Sequence, residues 1–287
     1  MILLGFFVFR YTLMLQDYGR MAYVAEYPQT TVRRKQRRAW LGSSRLWVGL
    51  SLLGLLLAWR GLVAWQQYPA FVLPTPEAVA SRWWQELTQG ALLQHTSRTL
   101  IEALGGFGLA FSASLVLGYI LAHWHWLDRI VSPQLAIVQA IPIVAVAPLI
   151  LIWVGADLRA KLLVAALVTF FPMLSSVIVA LRSVPRDIRE MAAISGANRW
   201  QSLWQIELPL ALPGIFGGIK TGLALATTGA VVAEFIGGRE GLGALINIAR
   251  GLFDTPLIFA ALLTLGLLTF GFYQLAMWLE RRLVTWE

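Results

Sequence analysis

The chain has no cysteine and only three histidines, and Asp, Glu, Lys and Arg together make up 13% of its 287 residues. Without a thiol there is no cysteine nucleophile, no iron–sulfur cluster and no Cys-based zinc site. Charge that sparse cannot cover a water-facing surface, since soluble domains carry about 25% charged residues. Catalytic signatures are missing as well: there is no HExxH, no GxSxG and no GxGxxG leading out of a strand. The nearest approach to a phosphate loop, Gly214-Ile-Phe-Gly-Gly-Ile-Lys-Thr221, has Ile219 where glycine must precede the lysine, and it lies in an apolar run. His123-Trp-His125 has only Asp128 nearby as a further hard ligand and reads as a short structural loop, while His95 stands alone. No enzymatic site, metal or cofactor is expected.

What the chain does have is apolar sequence: 58% hydrophobic residues and a mean hydropathy of +0.68. A helix needs roughly 20 apolar residues to cross about 30 Å of hydrocarbon. Six runs qualify: Leu46–Trp65, Ala103–Ala122, Leu135–Val154, Leu162–Leu181, Leu210–Ala233 and Leu257–Leu279. The expected fold is therefore all-α, a polytopic membrane bundle of about six spans. Arg60 makes the first run the weakest; near a helix end its head can reach the headgroups. Pro142, Pro148, Pro172 and Pro213 lie within runs or at their edges, which membrane helices tolerate when neighbours satisfy the freed backbone groups.

The net charge of +8 could suggest nucleic acid, but much of the excess flanks apolar runs, where it encodes orientation. The run Arg33-Arg34-Lys35-Gln36-Arg37-Arg38 precedes the first span and places the N-terminus in the cytoplasm. Six crossings then put the 182–209 loop and the tail Arg281-Arg282 inside as well, although the short outside loop 155–161 carries Arg159 and Lys161. Residues 1–45 form a separate cytoplasmic extension. Its opening apolar stretch is too short to span and lacks the features of a secretory signal. It reads as a weakly structured extension, a start set too far upstream (Met14 or Met21 being alternatives) or a membrane-surface segment. Outside, Thr75 and Pro76 signal a helix start, and Glu77–Leu93 reads as an amphipathic surface helix with Trp83 and Trp84 at the interface.

Two spans carry stripes of small residues at i+4: Gly106, Ala110, Ser114, Gly118 and Ala122, then Gly214, Gly218, Gly222, Ala226 and Ala230. Such stripes let membrane helices approach closely. One turn beyond the second stripe stands Glu234, followed by Gly237-Gly238. It belongs to a gate or translocation path, or is simply solvated near the interface. Lys220, some ten residues into its run, either snorkels or pairs with a neighbour. Pro142 and Pro148 are further pathway candidates. Between the fourth and fifth runs, Arg189 to Pro209 is helix-capable, broken at Gly196 and closed by Pro209, so a helix–turn–helix is expected to stand out from the membrane.

At this loop the sequence resembles the membrane permeases of ATP-binding-cassette importers. Their signature runs Glu-Ala-Ala, three residues, Gly, nine residues, then Ile-x-Leu-Pro. Here Glu190, Ala192, Gly196 and Ile206-Glu-Leu-Pro209 keep that spacing, with Met191 in place of the first Ala. The likeness continues over 73–287. Leu73-Pro-Thr-Pro-Glu-Ala-Val79, Ile141-Pro-Ile-Val-Ala-Val-Ala-Pro148, Trp153-Val-Gly155 and Val232-Ala-Glu-Phe-Ile-Gly237 resemble the nitrate, sulfonate and taurine subgroup. Asp254-Thr-Pro-Leu-Ile-Phe-Ala-Ala261 and Leu279-Glu-Arg-Arg-Leu283 look more like members for pyrimidine thiamine precursors or riboflavin.

The resemblance implies a permease domain over 46–287 in the inner membrane of a prokaryote, with a coupling loop at 183–209. Glu190, Ala192, Gly196, Ile206, Leu208 and Pro209 would dock against a cytoplasmic ATPase. It also implies two ATPase subunits, a second copy of this chain, an external binding protein that delivers the substrate, and no nucleic acid. Pyrimidine precursors or riboflavin are the favoured substrates, with sulfonate, nitrate or taurine the alternative. An ion-driven transporter would instead need inverted repeats and several buried acids, and only Glu234 and Lys220 present themselves.

Overall fold

The structure is a computed structural model that describes residues 37–284, with side chains from residue 46 onward. The expectations for the opening segment and for the side chains of the basic run at 33–38 lie outside these residues. Among the described residues every regular element is helical. The chain divides into two compact units, residues 1–55 and 56–287. In the first, the described part is the opening of helix α1 (Arg37–Gln66), whose side chains from Leu46 to Leu55 are all exposed. An apolar helix face of that kind is what lipid covers.

The second unit is built on three long helices: α3 (Leu92–His123), α6 (Leu158–Arg182) and α9 (Leu208–Gly237). α6 packs along both α3 and α9, and the small-residue stripes lie at these contacts. A Cβ on Gly106 would sit 2.4 Å from Ala165 Cβ, and one on Gly118 would sit 2.6 Å from Val177 Cγ1. On α9, Gly214 and Gly218 approach Ala180 and Ser176 within 2.7 and 2.6 Å in the same sense, and Gly222 faces Phe107 and Thr169. Without hydrophobic drive between helices in lipid, such close backbone approach supplies the packing energy. Met173, Val177, Leu181 and Ile215 fill one core, and Ala165, Ala226, Ala230 and Phe272 another.

Around this trio lie α2 (Pro76–Thr88), α10 (Leu242–Gly251) and α11 (Thr255–Leu283). Thr75 caps α2 by accepting from the Ala78 N–H at 3.2 Å, as its sequence signals. The helix stops at Thr88, however, and residues 92–93 already belong to α3. Far from free, α2 is fastened to α11: Trp83 Nε1–H donates to Thr264 Oγ1 at 3.0 Å, and Arg82 pairs with Asp254 at 2.8 Å.

Five helices are long and apolar enough to cross a membrane, and a sixth crossing requires a bent pair. The third apolar run, Leu135–Val154, is not one helix. It contributes to α4 (His125–Gln139) and α5 (Ile143–Val154), inclined at 91°. Pro142 explains the break: it has no N–H to donate, and a proline disfavours the α region for the residue before it. It adopts an extended conformation at the head of α5 (φ −62°, ψ 118°).

Candidate functional site

The segment after α6 folds as the loop signature leads one to expect up to Gly196, and differently beyond it. α7 (Arg186–Ile194) ends where Gly196 takes φ +83°. There the Gly196 N–H donates to Ala193 O at 3.1 Å and the Ala197 N–H to Ala192 O at 3.0 Å, the paired bonds of a glycine-terminated helix. Asn198 then caps α8 (Arg199–Ser202): its side chain accepts from Gln201 N–H at 2.8 Å, while Gln201 Oε1 accepts from Asn198 N–H at 2.9 Å. Pro209 does not close this second helix. A π turn over Leu203–Glu207 carries the chain straight into α9. Proline removes one i−4 bond and crowds the carbonyl it would have used. The wider turn answers this, the Leu208 N–H reaching back to Leu203 O.

Of the six signature residues, Glu190 and Gly196 are exposed, Ala192 is buried, and Ile206, Leu208 and Pro209 are half-buried. A Cβ on Gly196 would meet nothing within 4 Å. Large apolar side chains stand out beside them, Met191, Ile194, Trp200 and Trp204, with Ile194 88% exposed.

At the root of the segment three helix ends are tied by polar contacts. His123, the last residue of α3, points Nε2 at Glu207 Oε2 (2.8 Å) and Nδ1 at Tyr119 O (2.9 Å). Glu207 Oε1 accepts from Ser202 Oγ–H at 3.1 Å. Arg182 donates to Leu121 O at 2.8 Å and pairs with Asp128 at 2.9 Å. His123-Trp-His125 is thus a helix junction rather than a free loop.

A second polar cluster occupies the far end of the same helices. Glu234, fully buried, accepts from Thr99 Oγ1–H and from the Gly243 N–H, both at 2.6 Å. Thr99 Oγ1 accepts in turn from the Leu242 N–H at 2.8 Å, and His95 Nδ1 lies 3.0 Å from Gly241 N. His95 is therefore not isolated. Gly241 is indispensable here: it has φ +111°, and a Cβ would fall 2.1 Å from the Glu234 carboxyl carbon. Lys161 is not a loop residue; it lies in α6, buried, with Nζ 2.7 Å from Glu102 Oε1 and 3.2 Å from Glu240 O.

Lys220 pairs with Glu280 of α11. Although Lys220 and Glu234 share α9, fourteen residues separate them, about 21 Å of helix, and they form no common site. Pro142 lines an apolar cavity of about 360 Å³ with Val138, Phe171 and Pro172; Pro148 sits inside α5. Sequence reasoning missed Glu102, Lys161 and Glu207 as buried charges. Its only signal was their occurrence in otherwise apolar stretches. Among the described residues no group of three acids or histidines could hold a metal ion.

Comparison with known proteins places this architecture. Residues 114–285 match the family of binding-protein-dependent transport system inner membrane components. The chain belongs to this family. Its relatives are transport permeases rather than enzymes. The riboflavin transport system permease protein RibX of Chloroflexus aurantiacus is 60% identical over 89% of this chain and 94% of its own. The formylaminopyrimidine transport permease ThiX of Halalkalibacterium halodurans is 32% identical over 76% and 86%. The putative aliphatic sulfonates transport permease SsuC of Bacillus subtilis is 32% identical over 89% and 92%. An inward-facing structure of the MetNI methionine ABC transporter shares the fold, with a TM-score of 0.63 at 20% identity over 69% of this chain and 98% of that one. The permease is thus a multi-span inner-membrane protein, and its all-α bundle is the one its apolar runs foretell.

Proposed function

We propose that this permease carries riboflavin inward. The 60% identity to a riboflavin permease, extending over 94% of that relative, carries the reading; pyrimidine precursors and sulfonates are the substrates of relatives at 32%. Two copies of residues 46–287 form the pathway, with both termini and the 183–209 segment in the cytoplasm and residues 1–45 as a cytoplasmic extension. An external binding protein delivers the substrate, and two ATPase subunits dock on the segment. Glu190, Ala192 and Gly196 shape the docking helix, whose exposed Met191 and Ile194 enter the ATPase groove, and Ile206, Leu208 and Pro209 hand the movement to α9. ATP is hydrolysed by the partner, whose closure biases the helices between two packings. Pro142 stands at the hinge of α4 and α5 along the pathway, with Pro148 one helix further.

The test is gentle purification of the tagged chain, identification of what accompanies it, and uptake by the reconstituted complex of riboflavin, formylaminopyrimidine or an alkanesulfonate. ATP-driven uptake of riboflavin alone supports the reading. Preference for another compound overturns the substrate, and a chain that transports without any ATPase overturns the mechanism.

A further inference from the structure

The 183–209 segment is joined covalently to α6 and α9 only. α3, the third helix of the central trio, lines an apolar cavity with it (Leu115 and Tyr119 beside Trp200 and Trp204) and shares with it one polar side-chain contact among the described residues, His123–Glu207. We propose that His123 is the positioning residue that transmits movement of this segment to α3, through Glu207. The inference rests on the coupling role assigned to the segment above.

Four features of the contact carry it. Glu207 divides its carboxylate between two elements, one oxygen accepting from Ser202 of α8 and the other facing His123 of α3. Glu207 is buried, 5% exposed, at the edge of a small cavity. Both nitrogens of His123 face acceptors, Tyr119 O at 2.9 Å and Glu207 Oε2 at 2.8 Å. The ring is therefore held at two points, one on its own helix and one on the segment. Finally, Glu207 closes the π turn. An ordinary helical turn would rotate a side chain at that position by about 100° relative to α8, away from α3.

The other charged groups nearby leave this contact alone. Arg199 lines the same small cavity, of about 260 Å³, beside Tyr119, Ser202 and Glu207, but it forms no ion pair with Glu207. Arg182 and Asp128 are engaged with each other. The Tyr119 ring lies against the imidazole, 4.3 Å between centroids, and holds its plane. A rigid bond between a segment that is pushed and a helix that must move is a strut; a simple helix cap would not need to reach the moving element.

The experiment uses the assembled permease–ATPase complex in proteoliposomes, with riboflavin uptake and ATP hydrolysis measured together. His123→Ala and Glu207→Ala should each lower uptake per ATP hydrolysed by about tenfold, the scale of losing a charged hydrogen bond, while hydrolysis continues. The double variant should be no worse than either single one. Glu207→Gln, whose amide can accept from or donate to the His123 ring, should recover most of the ratio. Should the alanine variants not assemble, His123→Phe keeps the ring volume against Tyr119 without either ring nitrogen, and a low ratio is again expected. A normal ratio in the single variants or in His123→Phe, or losses that multiply in the double variant, overturns the strut while leaving coupling intact. A wild-type complex that hydrolyses ATP without uptake overturns the coupling role and the strut together.

Discussion

Lys220 of α9 and Glu280 of α11 form an ion pair 2.5 Å long, each side chain keeping about a fifth of its surface open. A lone lysine midway along a membrane helix costs about 2.5–3.5 kcal/mol on insertion scales, and the pair removes most of that penalty. Lys220→Met leaves Glu280 without its partner and should destabilise the permease by about 1–3 kcal/mol, between the values for exposed and buried pairs. The double variant Lys220→Met/Glu280→Met should recover most of the loss. Thermal unfolding in detergent reads both, and a single variant as stable as the wild type would contradict the assignment.

Gly106 and Gly108 lie on one helix and should respond with opposite sign. An alanine at Gly106 would place its Cβ 2.4 Å from Ala165 Cβ and 3.0 Å from two backbone atoms of α6. Neither helix can yield without a rigid shift, so a loss of about 1–3 kcal/mol is expected. At Gly108 nothing lies within 4 Å, and alanine should gain up to about 1 kcal/mol from helix propensity. Melting of the two variants side by side decides it.

Glu234 accepts two hydrogen bonds in a fully buried setting. Glu234→Gln turns one acceptor into a donor facing another donor, and should lower stability by about 1–3 kcal/mol. If stability stays unchanged while transport is lost, Glu234 serves a gate and not the joint between α3, α9 and α10.

Gly196 combines φ +83° with open space, so the cost of a side chain there is backbone strain alone. Gly196→Leu should cost the fold only about 1–2 kcal/mol and still abolish ATP-driven uptake. Gly196→Asn, which tolerates this conformation, should retain uptake. Membrane levels and uptake, measured together, separate the two effects; normal uptake by the leucine variant would remove the segment from the coupling path.

The parts of this architecture legible in the sequence are those encoded locally. The i+4 stripes announce the α3–α6 and α6–α9 contacts, Thr75-Pro76 announces the start of α2, and Gly196 announces the end of α7. The bend at Pro142 was hidden by uninterrupted apolar sequence on both sides, since hydropathy measures length and not straightness. At Pro209 the usual rule that proline ends a helix gave the wrong result, because a π turn absorbs the misfit. The polar joints were out of reach for another reason. Glu102 meets Lys161, and Thr99 meets Glu234, across 59 and 135 residues, and no period or motif links such positions.

These sequence separations also set the permease's order of construction. α3 carries Thr99, Glu102 and His123, and their partners Glu234, Lys161 and Glu207 all come later in the chain. When α3 leaves the ribosome, none of those partners exists. It must wait at the translocon or beside lipid with Glu102 unpaired, and with Thr99 and His123 bonded only within α3, until α6, and then α9, have been made. α3 is the second long helix to be synthesised and among the last to be completed, so a ribosome stalled before residue 234 leaves it unfinished and open to quality-control proteolysis.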